Sequence, residues 1–197
     1  MRKDRQLRMI PCSYAAREAD GKKYIEGYFA VFNSIYELWP GATESVAPTA
    51  FDGALSDDIR CLIDHETRLV LGRNIAGTLI LRADEHGLWG QVIVNEQDTD
   101  AMNLYARVQR GDVSQCSFGF EILDEETEYR DDGSVHWTIK KVKLYEVSVV
   151  TFPAYQETGV HTRKTEFEQI KQRSAEAFRE KMMRRLKKHG AQTNQTA

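Results

Sequence analysis

The chain has 197 residues, of which 41% are hydrophobic and 10% aromatic, enough for one packed domain with an appendage and too much for a disordered chain. The net charge of -3 hides an asymmetry: Arg163 to His189 carries 10 Lys and Arg against 4 Asp and Glu, a local +6, and the rest of the chain sums to -9. No apolar run reaches the length of a transmembrane helix, and the charged start Met1-Arg2-Lys3-Asp4-Arg5 has no apolar stretch behind it, so a soluble intracellular protein without a signal peptide is expected.

In chain order, Met9 to Tyr14 and Lys23 to Phe32 read as two strands joined near Asp20-Gly21. Both faces of the second are apolar, as in a closed or doubly covered sheet. Residues 33 to 47 are loop-like around Pro40-Gly41, and Pro48 to Leu55 forms a short helix with Phe51, Ala54 and Leu55 on one face. Arg60 to Asp64 is a short strand delivering His65, followed by a new loop. Gly77 to Leu81 and Leu88 to Val94 form a hairpin around Asp84-Glu85-His86-Gly87. Asp98 or Thr99 caps a helix running to about Arg110, with Leu104, Tyr105 and Val108 inward and Gly111 ending it. A strand through Ser117 and a return strand from Val135 to about Val150 flank the turn Asp131-Asp132-Gly133. From Thr165 to Lys188, Phe167, Ile170, Phe178, Met182 and Leu186 recur at helical spacing, and Gly190 ends that helix. The expectation is a mainly β (α+β) fold with a barrel-like core, a basic C-terminal helix over 163–190 and a disordered tail over 191–197.

Three cysteines, Cys12, Cys61 and Cys116, are odd in number and lack CxxC spacing, which argues against a disulfide framework or zinc site and for a reducing compartment. The run Ser114-Gln115-Cys116-Ser117-Phe118-Gly119-Phe120 puts Cys116, Phe118 and Phe120 on one strand face and Ser117 with Gly119 on the other. Ser117 is the candidate nucleophile. Ser114 and Cys116 are its rivals, although a cysteine on an oily face is usually a small hydrophobe. A serine needs a base, and among five histidines His65 stands apart at the end of the apolar strand Cys61-Leu62-Ile63. His86, His136, His161 and His189 read as solvated. Glu146 sits by alternation on the face of Val142, Leu144 and Val150, where a carboxylate needs a partner; a protonated His would serve, and so would an Arg. Asp64-His65-Glu66 does not make a metal site, because adjacent strand residues point to opposite faces, and no cofactor is expected. The basic segment lacks the interleaved aromatics of a single-strand nucleic-acid binder, and its apolar stripe favours a protein partner.

Several runs together carry a resemblance: Gly27-Tyr28-Phe29-Ala30-Val31-Phe32-Asn33, Ala50-Phe51-Asp52-Gly53-Ala54-Leu55, Ile63-Asp64-His65-Glu66 with Leu71-Gly72-Arg73, Gly87-Leu88-Trp89-Gly90, Ser117-Phe118-Gly119-Phe120, and Leu144 to Val150 with Phe152-Pro153-Ala154. In this order the chain resembles the prohead (capsid maturation) proteases of tailed bacteriophages, distant relatives of the herpesvirus assembly proteases. The resemblance implies a herpesvirus-protease-like β-barrel core flanked by helices over 1–162, with His65 as general base, Ser117 as nucleophile and Glu146 as the acid orienting the histidine. It further implies an endopeptidase that cleaves the scaffolding region of the major capsid protein and then itself inside the procapsid in the host cytoplasm. A homodimer, and docking of the basic segment on scaffold, are compatible with it. The rival of a different class is a non-catalytic scaffold or capsid-assembly module on the same fold. Pro48-Thr49-Ala50-Phe51-Asp52 departs from the family's usual Pro-Gly-Ala-Phe-Asp.

Overall fold

The computed structural model of the chain describes residues 6–11, 14–151, 167, 168, 172 and 179. The expected basic helix and tail over 163–197, His161, His189 and Cys12 therefore lie outside the described residues, apart from those four positions.

The two strands expected at the start become three: β1 (Gln6–Pro11), β2 (Tyr14–Ala19) and β3 (Lys22–Val31). β3 is one-sided rather than doubly covered. Ile25 and Phe29 enter the core, whereas Tyr24 and Tyr28 lie half-buried on the other face. There the Arg17 guanidinium packs over the Tyr24 ring at 4.8 Å and Tyr28 donates to Asp84 at 2.8 Å. Counting tyrosines as apolar made the strand look oily on both sides.

The region read as a loop folds into β4 (Tyr36–Trp39) and β5 (Ala42–Val46), turning at Pro40-Gly41, where Gly41 takes a φ of +83°. Turns and a short 3-10 segment at Ala54–Ser56 replace the helix expected over 48–55. β6 (Arg60–Ile63) and β7 (Glu66–Arg73) follow as a pair, so the loop expected after His65 is largely strand. The second hairpin forms as anticipated from β8 (Leu79–Ala83) and β9 (Gly87–Ile93). A Cβ at residue 87 would stand 1.9 Å from the Ala30 carbonyl oxygen, so only glycine fits there. The helix α1 (Thr99–Arg110) matches its signals. Asp98 accepts from the Asp100 and Ala101 N–H groups, Gly111 closes the helix at φ 86°, and Leu104, Tyr105 and Val108 are buried. Two long strands, β10 (Gln115–Tyr129) and β11 (Val135–Val150), complete the fold.

These strands make two open sheets rather than a closed barrel. One has the order β1-β10-β11-β5-β4, with β6 also pairing β11 and β7 pairing β6; the other is β2-β3-β9-β8. Both contribute to a single apolar cluster, in which Phe118 stacks on Phe120 at 4.6 Å and meets Phe51 at 5.7 Å. β11 organises the larger sheet. It runs antiparallel to β10 along its whole length, and its other edge takes β5 early and β6 late, both in parallel.

Candidate active site

The site begins with a turn. Ile63 pairs with Glu66, which leaves Asp64 and His65 as a two-residue hairpin loop, at φ 49° and 61°. Positive φ at both central positions is the type I′ pattern, which favours Asn or Asp followed by Gly. His65 occupies the glycine's place. It enters with a side chain 16% exposed, and its Nδ1 lies 2.7 Å from Glu146 Oε1.

Glu146 reaches that position through a β-bulge. Gly119 pairs with Glu146 but Phe120 pairs with Leu144, so Tyr145 is an extra residue on β11, its hydroxyl donating to Glu121 at 2.8 Å. Below the bulge Val142 and Leu144 face the core; above it Val147 and Val149 do. Glu146 is thereby turned off the face of Val142 and Leu144, contrary to simple alternation, and shares its side with Ser148. Of the partners left open for this carboxylate, the structure supplies a histidine. Arg60, in register with Glu146 on β6, ion-pairs with Asp58 at 3.1 Å.

The second carboxylate oxygen is held as well: Ser148 Oγ donates to Glu146 Oε2 at 2.6 Å. Ser148 was not among the candidates from sequence. The available signal was its place two residues after Glu146 in a strand, which puts both on one face. Ser117 is the direct cross-strand neighbour of Ser148, a relation that sets Cβ atoms about 4.5–5.5 Å apart. Both serines have zero solvent exposure and Glu146 only 3%. His65 Nε2 is buried and without a hydrogen-bond partner, so Ser117 is not bonded to it in this structure. A carboxylate only accepts, so Nδ1 carries the proton shared with Glu146, which in the neutral ring makes Nε2 the acceptor nitrogen. The arrangement is a half-buried imidazole held at Nδ1 by a carboxylate that also carries Ser148, with Ser117 across the strand pair from Ser148.

The rival nucleophiles sit elsewhere. Ser114 is exposed ahead of β10. Cys116 faces the core and is disulfide-bonded, contrary to the expectation of no disulfides, which removes it as a nucleophile. Cys61 is free and buried; burial first, and the Glu146 charge second, push its thiol far above its ordinary range.

His136, expected to be solvated, is 9% exposed. Its turn lies at the start of β11, but β5 covers it from a distant part of the chain. Thr43 Oγ1 lies 2.7 Å from Nδ1 and Ser45 Oγ 2.9 Å from Nε2. Burial chiefly, and then the Arg130 charge, hold its pKa below the usual imidazole value. His86 is exposed in its hairpin turn, as expected, edge-on to Tyr28 at 4.5 Å.

A family model described as the caudovirus prohead serine protease matches residues 12–173. The chain is 30% identical over 151 residues to the prohead protease of Enterobacteria phage HK97, an alignment covering 74% of this chain and 63% of that protein. It is 31% identical over 104 residues to the prohead protease of Escherichia phage T5, covering 53% of this chain and 45% of that one. The chain thus spans less than two thirds of the length of these curated relatives. Among solved structures, the bacteriophage T4 capsid assembly protease aligns over 77% of this chain and 100% of its own length, at 13% identity and a TM-score of 0.45.

Proposed function

The chain belongs to the caudovirus prohead serine protease family, and on that premise we propose that it is a capsid-maturation endopeptidase using Ser117, His65 and Glu146. The observation that carries the reading is the 2.7 Å bond from His65 Nδ1 to a buried carboxylate, with Nε2 unpartnered. In this reading Ser117 Oγ attacks the scissile carbonyl carbon while Nε2 takes its proton. Glu146 holds the tautomer and stabilises the imidazolium that results. Collapse of the tetrahedral intermediate breaks the C–N bond, and the proton passes from Nε2 to the leaving amine. Water then enters by the same route in reverse, His65 deprotonating it as it attacks the acyl-serine, and the acid product departs.

Ser117 is preferred to Ser148 because the proton of Ser148 is already committed to Glu146 Oε2. The zero exposure of Ser117 means that this face must open to admit a peptide. The substrates we propose are the scaffolding region of the major capsid protein and the chain itself, cleaved within the procapsid after assembly in the host cytoplasm. The +6 segment from Arg163 to His189 is the part we assign to docking on scaffold, by its charge. Kinship of the β core with the herpesvirus assembly proteases, and a homodimer, belong to the same reading.

The test is co-expression with the phage's capsid protein, followed by mass spectrometry of the products. Cleavage by the wild type and its loss, by about 10⁴-fold or more, in both Ser117→Ala and His65→Ala is expected, with circular dichroism unchanged. Normal cleavage by either variant overturns the assignment. A wild type that cleaves nothing, yet is needed for procapsids to form, favours the non-catalytic module.

A further inference from the structure

Asp64 has no place in the proton path above, yet three observations tie it to the histidine beside it. The first is conformational. Asp64 and His65 both lie at positive φ, 49° and 61°, a region that costs any residue with a Cβ. Aspartate tolerates it by bonding locally, but His65 stands where hairpins of this length favour glycine. Such strain persists only where the surroundings over-determine the backbone. The second observation is the grip of the Asp64 carboxylate. Its Oδ1 accepts from the Thr151 N–H at 2.6 Å, and its Oδ2 accepts from the Thr151 hydroxyl at 3.1 Å. The third is on the main chain: the Asp64 N–H donates to the Val149 carbonyl at 2.9 Å.

Val149 and Thr151 stand at the end of the strand that carries Glu146. The turn bearing the histidine is therefore clamped to the strand bearing its carboxylate, across a separation of 87 residues along the chain. One strand sets the position of both partners. Asp64 and Thr151 are solvent-exposed, so the clamp does not serve to bury apolar surface. Its geometric effect is to fix a strained turn.

We propose that Asp64 is a positioning residue, whose carboxylate, by gripping Thr151, holds the left-handed Asp64–His65 turn in the conformation that keeps His65 Nδ1 on Glu146. The inference rests on the reading of His65 as the general base. The bland alternative is that Asp64 merely suits a tight turn. Asp64→Gly separates the two, because glycine suits the turn at least as well and has no carboxylate. Asp64→Asn is the rescue, since it tolerates the left-handed region and keeps an oxygen for the Thr151 N–H.

Two readouts are taken on the full chain: steady-state cleavage of a peptide spanning a processed bond, and the downfield NMR resonance of the His65 N–H proton bonded to Glu146. Asp64→Gly should lower kcat by about tenfold to a hundredfold with KM unchanged, and should broaden or shift the resonance. Asp64→Asn should keep kcat within about threefold of wild type and retain the resonance. The proposal is overturned by a Gly variant that keeps both wild-type kcat and the resonance, by Gly and Asn variants that fail alike, or by a change confined to KM. The resonance does not require turnover. If the wild type proves inactive, the protease reading fails while the spectra still decide whether Asp64 positions His65.

Discussion

Strand β11 contributes to two histidine clusters, one toward each end, and they differ in how completely the imidazole is satisfied. At the early end His136, itself on β11, has a hydroxyl on each ring nitrogen, Thr43 on Nδ1 and Ser45 on Nε2. At the late end His65 has the Glu146 carboxylate on Nδ1 and nothing on a buried Nε2. Each ring belongs to a group that includes a serine, Ser45 on the His136 ring itself and Ser148 on the carboxylate that holds His65, so a nearby hydroxyl does not tell them apart. Saturation does. Every nitrogen of His136 is spent on holding parallel β5 in register against β11, which is a structural use of polarity. His65 retains an unspent nitrogen in a place where leaving one is costly, which is the feature that the proposed role as general base uses.

The comparison can be broken most severely at the carboxylate that is hydrogen-bonded to only one of the two rings. Glu146→Gln either turns an NH₂ toward Nδ1 and forces the wrong tautomer, or keeps its carbonyl there without the charge that stabilises an imidazolium. Cleavage of the capsid protein should fall by about 10²- to 10⁴-fold, read by single-turnover kinetics; a loss below tenfold would place Glu146 outside the chemistry. A milder break is Ser148→Ala, which frees one carboxylate oxygen without touching the imidazole. Here kcat should drop about tenfold, the loss of roughly 1.4 kcal/mol of orientation, and Ser148→Thr should recover most of it. A loss as deep as that of Ser117→Ala would instead nominate Ser148 as the nucleophile.

The smallest effect is reserved for the satisfied cluster. His136→Gln should leave cleavage within about twofold, because side chains remote from the reacting atoms seldom change the barrier. Its signature lies in stability against pH. The pKa of His136 is lowered in the fold, mainly by burial, so the folded state resists a proton that the unfolded chain accepts. That contribution is fully favourable above the ordinary imidazole value of 6.5 and is lost as pH falls from there through the lowered folded value. The Gln variant takes up no proton. Its Tm should gain on the wild type as pH drops below about 6.5, and a constant Tm difference from pH 8 to pH 5 would contradict the assignment.

Legibility from sequence followed the range of the interactions. The helix Thr99–Arg110 was readable to its caps, because Asp98, the inward Leu104, Tyr105 and Val108, and Gly111 are all local signals. Glu146 announced itself as a carboxylate among β-branched residues. The strands of 36–46 did not, since β5 acquires its order from a parallel partner more than 90 residues away. His136 looked solvated for the same reason: its cover comes from Thr43 and Ser45, not from its neighbours in the chain. The closed or doubly covered sheet was read from β3, where two tyrosines imitate an apolar face while keeping polar partners. The clamp on Asp64 was invisible, and Ser148 could be placed on Glu146's face but not opposite Ser117, because these depend on a register or a backbone angle.

The extra residue at Tyr145 reverses the parity of β11 at its late end. Just before it the even-numbered Val142 and Leu144 belong to the core, and from Val147 onward the odd-numbered positions do. Glu146 and Ser148 owe their side of the sheet to that switch and to nothing in their own chemistry. Straightening the strand with Tyr145 back in the count would leave every functional side chain present and turn both of them inward, into the hydrocarbon, whereas deleting Tyr145 outright would keep them on their present side. What guards this part of the site is one residue that the pairing passes over, an irregularity that plain alternation would not supply.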